Sequence, residues 1–171
     1  MTAGRRRLLA LGFGAIALAA VYLTLSSGDE ARILELLRAL LRAAEVRPGE
    51  SRALRRARRN AAFEAHLEPD AVLELPELDA PARGREAVGA LAETLAGKYV
   101  STRFKIEQTE IRASAAQISV TAAITLQAND GTSELLDTRQ VTVQIQRSGG
   151  QLRVAAVSVG ERSRAEPEAR P

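Results

Sequence analysis

Ile118, Val120, Ala122, Ile124 and Leu126 alternate with Ser, Thr and Ala over nine residues, and Val141, Val143 and Ile145 repeat the rhythm. A period of two turns one face of a strand to a core and the other to water, so this half of the chain must build an antiparallel sheet. Asn129-Asp130-Gly131 separates the two runs as a hairpin turn, and Ser148-Gly149-Gly150 turns the chain again. Leu152 and Val154 share one parity, whereas Val157 and Val159 take the other. A bulge near Ala155-Ala156 reconciles them and bends the sheet. Phe104 and Ile106, alternating with charged residues, supply a further strand.

The preceding stretch is helical in rhythm. Asp29 caps a helix in which Ile33, Leu37, Leu40, Leu41 and Ala44 recur at helical spacing, and Arg47-Pro48-Gly49-Glu50 ends it. Ser51 caps a second helix that runs to about Leu67, with Pro69 as its stop. Ala71 to Leu75 is a short strand, Pro76 to Pro81 an irregular acidic loop. Gly84-Arg85-Glu86 opens a third helix with Val88, Leu91 and Leu95 on one face, ended by Gly97. Helices segregated from a meander of strands define an α+β domain over residues 30–161, with a polar tail at 162–171.

Ahead of this domain, Leu8 to Leu25 carries no charge. As a helix it is roughly 27 Å long, just enough for a bilayer core. Arg5, Arg6 and Arg7 precede it within a basic segment at 1–7, and a hinge at 26–29 follows it. The positive-inside rule places the N-terminus in the cytoplasm and the domain across the inner membrane, on the periplasmic side. The length favours a retained transmembrane signal anchor over a cleaved signal that would release a secreted domain. Those three arginines are also the whole net charge of +3, because the remaining chain balances 21 basic against 21 acidic residues. A nucleic-acid binder needs a field spread over its folded surface, so that class is set aside.

The order of elements resembles the nuclear transport factor 2-like superfamily, close to its SnoaL-like branch. The resemblance is carried by Pro69-Asp70-Ala71-Val72-Leu73-Glu74-Leu75 after the second helix, by Gly84-Arg85-Glu86-Ala87-Val88 opening the third, and by the four strands that follow. Gln151-Leu152-Arg153-Val154 lacks the aromatic residue usual in the final strand of that branch. The resemblance implies a cystatin-like cone of three helices packed on a bent antiparallel sheet, and sheet faces that pair into a homodimer. It also admits both enzymes and pure binding modules, since fold alone does not give function.

The side chains available for chemistry are few. The chain has no Cys and a single His, which removes thiol chemistry and multi-histidine metal sites, and no metal or cofactor is expected. His66, Asp70 and Tyr99 are the candidate catalytic residues if the cone holds a ketosteroid-isomerase-type or SnoaL-type pocket that acts as an isomerase, cyclase or hydrolase on a small apolar molecule. Glu107, Glu110, Glu134 and Asp137 read as polar-parity or turn residues, so no carboxylate base stands out on the strands. Arg52, Arg55, Arg56 and Arg59 fall at i, i+3, i+4 and i+7 on one face of the second helix, opposite a stripe of Leu54, Ala57 and Ala61. Such a face is by default solvated and paired with nearby acids; its functional reading is a patch for an anionic surface. The expected function is a membrane-anchored, exported, non-catalytic domain that binds a protein partner or a small apolar ligand, with the enzyme as the alternative.

Overall fold

The computed structural model describes residues 28–114 and 117–162. The chain divides into two units, Met1–Glu35 and Leu36–Pro171. Of the first, residues 28–35 are described, and they are helical. The segment expected to span the membrane, Leu8 to Leu25, lies outside the described residues. No helix among the described residues is long and apolar enough to cross a membrane.

Helix α1 covers residues 28–44, so Gly28 and Asp29 are helical rather than part of a hinge at 26–29. Among residues 28–33 there is no Pro, and Gly28 and Asp29 fall in the first turn, where a weak helix former costs little. Helix α2 is Arg52–His66, with Ser51 as its cap: the Ser51 hydroxyl accepts from the Leu54 N–H at 3.2 Å. Strand β1 (Leu67–Glu74) follows without a loop. A two-residue strand β2 (Ala82–Arg83), not foreseen in the sequence, leads into α3 (Gly84–Ala96). Four long strands complete the domain: β3 (Ser101–Ala113), β4 (Gln117–Asn129), β5 (Glu134–Ser148) and β6 (Gln151–Arg162), the last reaching one residue beyond the expected domain end at 161.

These strands form one six-stranded sheet in the order β2-β1-β6-β5-β4-β3. It is not purely antiparallel as expected. β1 runs parallel to β6, because the chain reaches the far side of β6 through the helices rather than by a hairpin. The β4–β5 ladder is uninterrupted from Gln117↔Gln146 to Asn129↔Glu134 and sets Ile118, Val120 and Ala122 opposite Ile145, Val143 and Val141. All six are buried, and Val120, Ile145 and Val154 lie at 0 % exposure at the centre of the core. The expected bulge is present. β5 pairs Ile145 with Val154 and Gln144 with Ala156, which leaves Ala155 as the extra residue. Gly149 and Gly150 both take positive φ, 57° and 79°, as a two-residue hairpin turn of type I′ requires.

The opposite sheet face carries uncharged polar side chains. The Thr125 and Thr138 hydroxyls meet at 2.9 Å, and Gln144 links Gln117 to Ser119 at 3.0 and 3.2 Å. Edge strand β3 is studded with the ion pairs Lys105–Glu107 and Arg112–Glu110 and broken by a bulge between Ile106 and Thr109. Charges and bulges of this kind keep a long free edge from pairing with another chain.

Candidate functional site

The arginine face of α2 is turned inward. Arg59 is buried at 3 % exposure, the Arg55 side chain is 11 % exposed, and Phe63 continues the same face one turn on. Leu54, which the stripe of Leu54, Ala57 and Ala61 would place in the core, is 61 % exposed, and both alanines are exposed with it. The helix has therefore rotated by about half a turn from the expected orientation. The reason is a single acidic residue on α3, Glu93. Its carboxylate accepts from Arg52 Nε at 2.7 Å and from Arg59 at 2.6 Å, and Arg55 stands 3.6 Å away. Buried guanidinium groups need charged partners, and the long aliphatic stems of Arg55 and Arg59 cover apolar surface where leucines would otherwise pack.

The hydrogen bonds from Arg52 and Arg59 hold the Glu93 carboxyl down at about 2, against the opposing effect of burial. Even so, the cluster is short of negative charge. The Nε atoms of Arg55 and Arg59 are buried without a hydrogen-bond partner among the described residues. Arg58 on the flank is used differently. It grips Glu50 through two bonds of 3.0 and 2.9 Å, which lowers the Glu50 pKa, and it donates to the backbone carbonyls of Arg42 and Glu45, closing the C-terminal end of α1.

Beside this cluster a groove of about 560 Å³ runs between α2 and α3, with Arg56, Asn60 and Phe63 on one wall and Glu86, Gly89 and Glu93 on the other. Gly89 opens onto this space: a methyl group added there would meet nothing within 4 Å. Arg56 is exposed at the rim.

A second polar group lies on the sheet. Asp137 is 7 % exposed, and its carboxylate accepts from Arg139 Nε at 3.0 Å, while Arg139 also meets Glu77 at 2.5 Å. Burial alone would lower the Arg139 pKa, but the bonds to Glu77 and Asp137 raise it. The reading of Asp137 as a polar-parity residue is thus corrected. Asp137 and Arg139 share the odd numbering of Val141, Val143 and Ile145, and the unbroken pairing of β5 with β4 keeps them on the same sheet face as those buried residues. That numbering was the signal. For Glu93 the signal was weaker: Glu86, Gly89, Ala90 and Glu93 at i, i+3, i+4 and i+7 set two acids at the ends of a small-residue face.

The three catalytic candidates do not assemble. His66 ends α2 and is half-buried, and Asp70 follows on β1, exposed. Gly84 sits beside this end, since a side chain there would stand 3.5 Å from the Pro69 carbonyl. Tyr99 lies past the other end of α3, so the helix, roughly 20 Å long, separates it from Asp70. Among the described residues no group of three or more His, Asp or Glu could hold a metal ion.

No protein-family model matches the chain, and no curated protein matches it. Solved structures do. An NTF2-like protein of unknown function from Pseudomonas putida KT2440 is 19 % identical with a TM-score of 0.61, over 78 % of this chain and 87 % of that one. An NTF2-like superfamily protein from Salmonella enterica serovar Typhimurium LT2 is 12 % identical with a TM-score of 0.66, over 85 % and 99 %. A hexachlorocyclohexane dehydrochlorinase, LinA type 2, is 14 % identical with a TM-score of 0.65, over 81 % and 89 %. With a six-stranded sheet and three helices among its described residues, the chain has the NTF2-like, cystatin-like α+β fold.

Proposed function

We propose that this chain is a membrane-tethered, exported binding domain without catalysis, with the α2–α3 groove as the seat for a ligand or protein partner. The observation that carries this reading is the state of its buried acids. Glu93 is bound by arginines and held at about 2, and Asp137 is bound to Arg139. A general base works best with a pKa near the operating pH, and Glu93 lies far below it. The uncharged run from Leu8 to Leu25 behind Arg5, Arg6 and Arg7 supports the tether. The neutral Ser, Thr and Gln face of β4 and β5 supports a homodimer through the sheet.

One observation favours the enzyme instead. Asp137 is a buried acid on the same sheet face as Val141, Val143 and Ile145, in a fold that also houses a dehydrochlorinase. The test combines fractionation with turnover. The full-length chain is expected in the membrane fraction, resistant to carbonate wash, and inert toward enolisable ketones and chlorinated cyclohexanes. Turnover that Asp137→Asn abolishes would overturn the non-catalytic reading.

A further inference from the structure

The geometry points to a binding site for a phosphoryl group at the α1-proximal end of the α2–α3 groove, formed by Arg52, Arg56 and Asn60 and backed by Arg59. This inference rests on the groove being the binding seat and names the chemistry of what it takes. Arg52, Arg56 and Asn60 follow one another at i, i+4 and i+8, so their side chains form a row along one wall. A pocket of about 580 Å³ is lined by Arg52, Arg56, Asn60 and Glu93, and it shares Arg56, Asn60 and Glu93 with the neighbouring groove.

The charge here is unbalanced. Apart from Arg58, which pairs with Glu50, four guanidinium groups lie along about two turns of α2, and the only carboxylate the described residues give them is Glu93. Arg56 has no ion pair or hydrogen bond among the described residues, and the Arg52 side chain, though it touches Glu93, is 78 % exposed with further N–H groups to offer. The orphaned Nε atoms of Arg55 and Arg59 show the same shortage inside the cluster. A monoanion would leave most of that excess in place, whereas a phosphoryl dianion removes the larger part. Guanidinium is also the side chain whose planar fork matches phosphate oxygens two at a time. Glu64 continues this row one turn beyond Asn60, and it and Glu86 put negative charge at the other end of the groove, which confines the anion to the Arg52–Arg56 end. Arg59, with a side chain 4 % exposed, acts from behind through Glu93 and by its field rather than by contact.

The test is a calorimetric titration of the full-length chain, in uncharged detergent, with inorganic phosphate against chloride at matched ionic strength. Saturable binding is expected for phosphate alone. Arg56→Gln, at an exposed residue with no partner to lose, is expected to weaken it about tenfold without moving the melting temperature. Glu93→Gln, which removes the competing carboxylate, is expected to tighten it, and phosphate is expected to raise the melting temperature of this variant more than that of the parent. No saturable phosphate binding, or binding that Arg56→Gln leaves unchanged, would overturn the assignment. Adding short-chain phosphatidic acid, or phosphatidylcholine of the same chain length, to the same detergent micelles separates the two sources of such a group. Displacement of phosphate by the phosphatidic acid alone identifies a lipid headgroup, and an unchanged titration identifies a soluble phosphate ester. Because this readout involves no turnover, its failure is distinct from a failure of the non-catalytic reading, which Asp137→Asn addresses.

Discussion

Glu93 decides more than its own conformation. It is one carboxylate, 15 % exposed, between three guanidinium groups, and it sets which side of α2 faces the protein. Its pKa in the folded chain, about 2, lies below the ordinary 4.5. A depressed carboxylate pKa contributes stability above the unfolded value and loses it as the pH falls through the folded one. The contribution is therefore complete above about pH 4.5 and disappears toward pH 2. With a discount for the solvent-open Arg52 it amounts to about 2 kcal/mol. Glu93→Gln should flatten the loss of stability across that window, as read by urea unfolding at successive pH values. The same variant leaves Arg55 and Arg59 buried without their counter-charge, so near pH 7 it should lower stability by about 3 kcal/mol. Little of this was legible in the chain. The arginine stripe was visible, but hydropathy places charged residues outside, and no local rule states that a distant acid on another helix reverses the assignment.

At the scale of the element, α2 shows how a periodicity can be right and its direction wrong. Its spacing, its Ser51 cap and its end near Leu67 all agree with the sequence. Its two faces are exchanged. The exchange yields a discriminating measurement. Were Leu54 in the core, Leu54→Gln would cost several kcal/mol, as large-to-small or polar core changes do. At 61 % exposure the change should stay within about 0.5 kcal/mol in chemical denaturation. The strands were read better than the helices because alternation on β4 and β5 is reinforced by direct pairing across the ladder, where each inward side chain faces another. The exception, Asp137, was masked by its chemistry rather than by its parity. The two-residue β2 is too short to leave a period at all.

For the whole molecule, the order of helices and strands and the α+β class follow from the sequence, while the neighbour relations do not. Nothing in the short segment around Ala71 to Leu75 distinguishes an antiparallel partner from the parallel one it has in β6. The core converges on β4 and β5, the two strands with long partners on both sides. Ile145→Ala, at a fully buried position between Ile118 and Val154, should cost about 2–5 kcal/mol and lower the melting temperature by roughly 4–20 °C. The pairing of β1 with β6 has a further consequence, for the history of the chain rather than its final state. Arg153 of β6 reaches back to the Glu64 carbonyl at the end of α2 across 89 residues of sequence, and Leu67 finds its partner only in Val154. During synthesis β1 cannot take its place in the sheet until the last strand emerges. Contacts so distant in sequence make folding slow, so the nascent chain remains open until β6 is complete.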